Sequence, residues 1–288
     1  MKLFNIFKKR TAIPTQFESE LESFENYPEM LTVKLLFKEK PELRGEKILR
    51  ELKKYYDNVE NPIDNKALIF SFSDLQIEMA DAQIPAQCLI AIPDGSYPEI
   101  KIPETAFQQN WHWNEANELA KECRYELLAT DFMTRTLEYK KRLNLYTDFL
   151  FSVTKATAPD VIYSVCGQKL IKPADLIDIC NKPEKQLLYS VSNVRFFKLG
   201  EANKQEFMMD TIGLNSIGLP DFQILFFDQE PNEIAKLLWN YAYYIYDYGD
   251  IIKDGNTLEG ISSGSKWKCN RQFSLLDPVR AVINVQPN

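Results

Sequence analysis

Phe207-Met208-Met209-Asp210-Thr211-Ile212-Gly213-Leu214-Asn215-Ser216-Ile217-Gly218-Leu219-Pro220-Asp221-Phe222-Gln223-Ile224-Leu225-Phe226-Phe227 sets two apolar runs on either side of a glycine-containing link. Residues 207–211 have strand character, and the apolar run 224–227 reads as a second strand. Between them, two glycines five residues apart and then Leu219-Pro220-Asp221 predict a tight backbone crossing, because glycine reaches left-handed angles without a Cβ clash. Upstream, residues 187–194 and Phe196-Phe197 alternate in polarity, and Gly200 and Asn203 suit a turn back to 207–211. Strands arriving in hairpin-like runs argue against a doubly wound parallel sheet. The expected class is α+β: mixed or largely antiparallel sheets with packed helices, in two subdomains.

Toward the C terminus, Asp228 and Pro231-Asn232-Glu233 make a good helix start. Ile234, Leu237, Leu238, Tyr241, Ile245 and Tyr248 then recur at helical steps until Gly249 ends the run. Asp254-Gly255-Asn256 predicts a turn, and residues 279–285 a closing strand. Toward the N terminus, a strand at 31–37 is broken by Lys38-Glu39-Lys40-Pro41. A helical face follows over 42–56 through Ile48, Leu49, Leu52, Tyr55 and Tyr56, and Asn61-Pro62 ends that unit. Strands are expected at 67–72, 75–79, 88–92, 126–129 and 161–165, with a turn at Pro93-Asp94-Gly95-Ser96. Helices are expected from Asn110 or Asn114 to about Glu122, over 135–156 and over 173–179, where Pro173 suits a first helical position. Residues 31–56 and 222–248 share a strand–turn–Glu–helix outline. A polar break at 181–185 gives the expected organisation: an N-terminal arm (1–29), an α+β subdomain over 30–185 and a second over 186–288.

With 288 residues, 45% hydrophobic and 26% charged, the chain can bury a sizeable core. Its net charge of −7 and pI near 5.1 argue against a nucleic-acid partner, which asks for a basic face. Neither part hides one: 25 Lys and Arg stand against 29 Asp and Glu before residue 186, and 9 against 12 after it. Cys88, Cys123, Cys166, Cys180 and Cys269 are odd in number, widely spaced and set in apolar runs, which reads as reduced thiols in a cytoplasmic protein. Met1 to Arg10 superficially resembles an export signal, but its apolar part is only Leu3 to Phe7 and no small-residue cleavage site follows. No run is long and apolar enough to predict a membrane span.

One histidine, His112, removes most chemistry. Zinc sites need clustered soft ligands, and a triad would have to borrow His112 with Cys123 or a distant nucleophile. In Trp111-His112-Trp113-Asn114 its expected work is packing or capping at a helix entrance. No phosphate-binding glycine motif occurs, and Gly260-Ile261-Ser262-Ser263-Gly264-Ser265-Lys266 reads as an exposed loop. Glu115, Glu118 and Glu122 lack a histidine partner for a di-metal site and read as a solvated helix face. No catalytic residue, metal ligand or cofactor is therefore assigned. Tyr241, Tyr243, Tyr244, Tyr246 and Tyr248 form an unusual run. On one helix, Tyr241, Tyr244 and Tyr248 share the side of Leu237 and Ile245, which leaves Tyr243 and Tyr246 as candidate contact residues.

The segment 210–224, with Gly255-Asn256-Thr257 and Ser274-Leu275-Leu276-Asp277-Pro278-Val279-Arg280, resembles a bacterial family catalogued only as domain of unknown function 4261. Asn110-Trp111, Trp113 and Val161-Ile162-Tyr163 fit the same resemblance, which would span about residues 30 to 287. A looser echo near 210–224 is similar to Suppressor-of-fused-like domains, which include bacterial toxin-immunity proteins. The family brings no activity. The resemblance implies that Thr211, Gly213, Gly218, Pro220, Asp221, Gly255 and Arg280 matter, and their chemistry reads as structural: glycines for special angles, Arg280 for a fixed ion pair or carbonyl clamp. The expected function is a non-enzymatic protein-interaction module, immunity-type or regulatory, with another protein as partner. The alternative is a small-ligand binder or enzyme with a carboxylate, Arg and Tyr site. Tyr243, Tyr246, Arg280, Trp111 and Trp113 are the candidate binding residues; oligomeric state stays open.

Overall fold

Alternation along β1 (Thr32–Phe37) sets the layers: Val33, Leu35 and Phe37 point into the main core, while Leu36 points into a smaller core on the other face. The computed structural model describes residues 28–64, 67–79, 82–93, 96–97, 99–182, 184–199 and 206–287. Most of the expected N-terminal arm, Asp94-Gly95 of one expected turn, and Gly200 and Asn203 of another lie outside the described residues.

Around β1, the first sheet adds β2 (Val59–Asp64), β3 (Ala67–Met79), β4 (Ala82–Ala91), β5 (Tyr125–Met133), β6 (Val161–Ser164) and β7 (Lys169–Ile171). Its order is β2-β3-β4-β5-β1-β6-β7, with every neighbouring pair antiparallel. A second sheet holds β8 (Asn193–Leu199), β9 (Glu206–Ile212), β10 (Asp221–Phe226), β11 (Thr257–Glu259), β12 (Lys266–Phe273) and β13 (Ala281–Gln286), in the order β11-β12-β13-β10-β9-β8. Here β10 and β13 run parallel and the other neighbours antiparallel. The helices are α1 (Gly45–Leu52), α2 (Glu104–Gln108), α3 (Ala116–Glu122), α4 (Tyr139–Thr157), α5 (Pro173–Cys180) and α6 (Pro231–Tyr248). The α+β class expected from the hairpin-like runs is what the chain adopts.

Helix α4 is buried nearly all round, which marks it as interior to the layers. Glu138 caps its start by accepting from the Lys140 and Lys141 amides, and Phe149 packs on Phe70 of β3. Helices α2 and α3 cover the opposite face of the first sheet through Ala106, Ala116 and Ala120. One apolar cluster runs from Leu31 through α4 to Ile234 and Val285, so the two sheets share a core.

Three expectations are corrected. Asn61-Pro62 does not end a unit but sits inside β2, where the register with β3 shifts between Glu60 and Ile63; a bulged edge strand tolerates proline's missing N–H. Residues 75–79 are not a separate strand but continue β3 past an irregularity. Residues 187–190 form a 3-10 turn rather than a strand, its Leu188 and Ser190 both buried. The three-residue strands β7 and β11 and the eight-residue β12 were not foreseen.

Candidate binding cleft

Cross-strand pairing puts charges on one face of the second sheet. Asp210 of β9 stands opposite Arg195 of β8 and opposite Gln223 of β10, and Asp221 shares the Gln223 side by the two-residue period. Asp210 accepts the Arg195 Nε and Nη2 at 2.9 and 2.5 Å and the Arg280 Nη2 at 2.7 Å. Asp221 accepts the Arg280 Nε at 3.0 Å, the Thr211 hydroxyl at 2.8 Å and the Leu214 amide at 3.2 Å. Other Arg280 donors go to the carbonyls of Thr211 and Pro278 at 2.6 and 2.9 Å. Two cations and two anions are thus buried and mutually satisfied. Burial raises the Asp221 pKa, and the Arg280 charge opposes it.

This network fixes the crossing that follows β9. Gly213 has φ +110°, and a Cβ there would stand 2.1 Å from the Val191 carbonyl. From the other side, Arg142 of α4 pairs with Asp131 at 2.6 Å and donates to the Ser216 carbonyl at 2.9 Å. The crossing is held from both sheets.

A different arrangement lies where β7, the edge of the first sheet, approaches β8 and α6. Along β7, Leu170 enters the small core while Lys169 and Ile171 turn the other way. Lys169 is only 2% exposed and sits on the wall of a cleft of about 520 Å³. Its Nζ is 4.1 Å from the Tyr189 ring centroid and 5.9 Å from that of Trp239. Among the described residues no carboxylate pairs with it and no acceptor takes its hydrogens. Burial alone therefore lowers its pKa to about 7. Asn193, the first residue of β8, lines the same cleft, and its buried Nδ2 also has no acceptor.

The remaining walls are aromatic. Trp239 and Tyr243 of α6 lie 6.2 Å apart, one turn from each other. Trp111 and His112, between α2 and α3, form the rim, with Trp111 6.4 Å from Phe196. Packing at the rim, and then the Lys169 charge, lower the His112 pKa. The arrangement offers one desolvated ammonium and an amide donor at the base of apolar walls, which suits holding an anionic group on an apolar body.

Of the five sequence-level binding candidates, Trp111 and Tyr243 meet in this cleft. The other three do not. Trp113 is buried in the small core, where its carbonyl accepts from Asn110 at 2.8 Å. Arg280 spends its donors in the interior network. Tyr246 is buried 5.7 Å from Tyr139, whose hydroxyl donates to its carbonyl. The tyrosine run was misphased because α6 has two buried sides: Tyr241 packs on Phe222 of the second sheet, and Tyr246 on Tyr139 of α4. Tyr244 and Tyr248, expected inward, are the exposed ones.

Lys169, Tyr189, Asn193 and Trp239 were missed. The available signals were a lysine directly before the apolar pair Leu170-Ile171 and a tryptophan four residues ahead of Tyr243. Thr211, Gly213, Gly218, Pro220 and Asp221 all belong to the crossing, and Gly255, with φ +81°, sits in the turn before β11. Glu115, Glu118 and Glu122 are exposed, Cys123 is buried, and residues 260–265 join β11 to β12. Among the described residues no cluster of His, Cys, Asp and Glu could hold a metal ion, and no helix is long and apolar enough to cross a membrane.

No curated protein and no solved structure matches the chain. A family model described as Domain of unknown function (DUF4261) matches residues 210–286. That segment contains Asp210, Asp221 and Arg280 of the buried network, and Trp239 and Tyr243 of the cleft, whereas Arg195, Lys169, Tyr189 and Asn193 precede it. The expected resemblance to the domain of unknown function DUF4261 is thus matched over residues 210–286, and not over the whole of the expected span of about 30 to 287.

Proposed function

We propose that this chain is a non-enzymatic binding protein and that the Lys169 cleft is where it takes a small ligand. The observation that carries the reading is the buried Lys169 ammonium, which has no counter-charge among the described residues. Burying a cation without a partner costs stability, so a site that keeps one is built around a group supplied from outside. The five free cysteines, four of them buried, support placing the chain in a reducing compartment such as the cytoplasm.

The test uses the two cleft tryptophans as reporters. A mixed panel of neutral, cationic and anionic small molecules is screened by NMR of the Trp111 and Trp239 indole signals. Ligands that shift both are expected, and Ala235→Trp, which fills the cleft from α6, should abolish their effect. A panel that moves neither indole, or moves them equally in the filled variant, refutes the reading.

A second reading, a protein-contact role, has its own observation. Tyr244 and Tyr248 are 41% and 66% exposed, their rings are 5.0 Å apart, and Ile251 beside them is 48% exposed. Exposed aromatic pairs of this kind are common at protein interfaces. Loss of a co-purifying protein partner from the native host on Tyr248→Ser, with the Lys169 cleft intact, would favour it.

A further inference from the structure

Resting on the reading of the cleft as a ligand site, we propose that its ligand is a small monocarboxylic acid with a flat, apolar body. The carboxylate sits against Lys169 and Asn193, and the body lies between Trp239, Tyr243 and Trp111. Charge balance argues for a single negative charge. Among the described residues that line the cleft, Lys169 is the one lysine or arginine, and packing at the rim lowers the His112 pKa. A phosphate ester carries up to two negative charges and asks for several donors or a second cation. One ammonium with one amide matches the two oxygens of a carboxylate.

The walls argue for the body. Tyr189, Trp239, Tyr243 and Trp111 contribute flat rings, and Val194 and Ala235 add aliphatic surface. About 520 Å³ falls within the roughly 300–1,000 Å³ typical of small-molecule sites, room for a fused bicyclic acid. Lys169 is almost wholly covered, so its ammonium is reached by a slender inserted group rather than by a flat protein surface.

Isothermal titration at pH 6 with naphthoate, naphthamide, naphthyl phosphate and a peptide ending in a tryptophan carboxylate tests the assignment, on the wild type, Lys169→Met and Asn193→Leu. Naphthoate should bind the wild type about tenfold or more tighter than the other three, in line with a charge-assisted contact in a dry site. Lys169→Met should remove that advantage while leaving naphthamide binding within about threefold, and Asn193→Leu should weaken naphthoate by a smaller factor. Equal binding of acid and amide, or an acid advantage that survives Lys169→Met, overturns the assignment. Tighter binding of the phosphate ester or the peptide overturns it in favour of that class, and no binding of any probe overturns it outright. The cleft itself stands or falls separately, on the mixed-panel indole screen. Should Lys169→Met fail to fold, Ala235→Trp replaces it, and naphthoate binding that persists there is equally fatal.

Discussion

Arg280 and Lys169 are both cations only 2% exposed to solvent, yet their surroundings are opposite. Arg280 meets two carboxylates and further carbonyls, and with Arg195 it closes a neutral set of four charges. Lys169 meets aromatic faces and, among the described residues, no anion. In a medium of low effective dielectric the first arrangement is self-sufficient and the second carries a deficit. Buried charge is therefore informative about function only after its partners are counted. Arg280, which the sequence offers both as a fixed ion pair or carbonyl clamp and as a binding candidate, spends its donors on interior carboxylates and carbonyls, while Lys169, which is not among the candidates, faces the cleft.

Substitutions can break this contrast. The largest effect is expected from Asp221→Ala, which removes one of the two carboxylates paired with Arg280 and frees the Thr211 and Leu214 donors at once. Urea unfolding should show a loss of about 3–5 kcal/mol, and a loss under about 1 kcal/mol would mean the network is not structural. Gly213→Ala forces a Cβ toward the Val191 carbonyl at a positive φ and should cost about 2–4 kcal/mol. Gly218→Ala, with a positive φ but open space around it, should cost about 1 kcal/mol.

Lys169→Met should act with the opposite sign. Removing an unpartnered buried ammonium is expected to stabilise the ligand-free protein by about 1–3 kcal/mol near pH 6. The pH dependence follows from linkage. Folding lowers the Lys169 pKa from its ordinary 10.5 to about 7, so the folded state binds fewer protons between those values. The lysine's destabilisation is full below pH 7 and fades as pH rises toward 10.5. The advantage of Lys169→Met should shrink over that window, measured as the difference in unfolding free energy. Neighbours on the cleft do not obscure it: Tyr189 and Tyr243 are pushed up to about 12, His112 is lowered, and Asp175 of α5 acts on His112 and Tyr189. A difference that stays flat from pH 6 to 10 would contradict the reading. The smallest effect belongs to Tyr248→Ser on the exposed face, expected within about 0.5 kcal/mol by thermal unfolding.

The layers of the fold were legible because burial imposes a period. Residues 31–37, 161–165 and 224–227 announced strands by alternation or unbroken apolarity, and Pro231 and Gly249 bracketed α6. The crossing at 213–220 was legible through its glycines. The cleft was half legible: Trp111 and Tyr243 stood out by residue type, but nothing in a linear pattern says that a three-residue strand will set Lys169 against Tyr189 and Trp239 from two other elements. Tyr246 misled for a related reason, since a helix between two packed layers buries two sides and a single-stripe reading assigns one of them to solvent.

The most direct measurement is the ionisation of Lys169 itself, followed by NMR on protein with isotope-labelled lysine side chains, with Lys169→Met assigning the signal. Without ligand it should titrate near pH 7, well below its ordinary 10.5, and a bound carboxylate should raise it. Titration near 10.5, unmoved by any anion, would show that a partner already compensates the charge and that the cleft is not built around it.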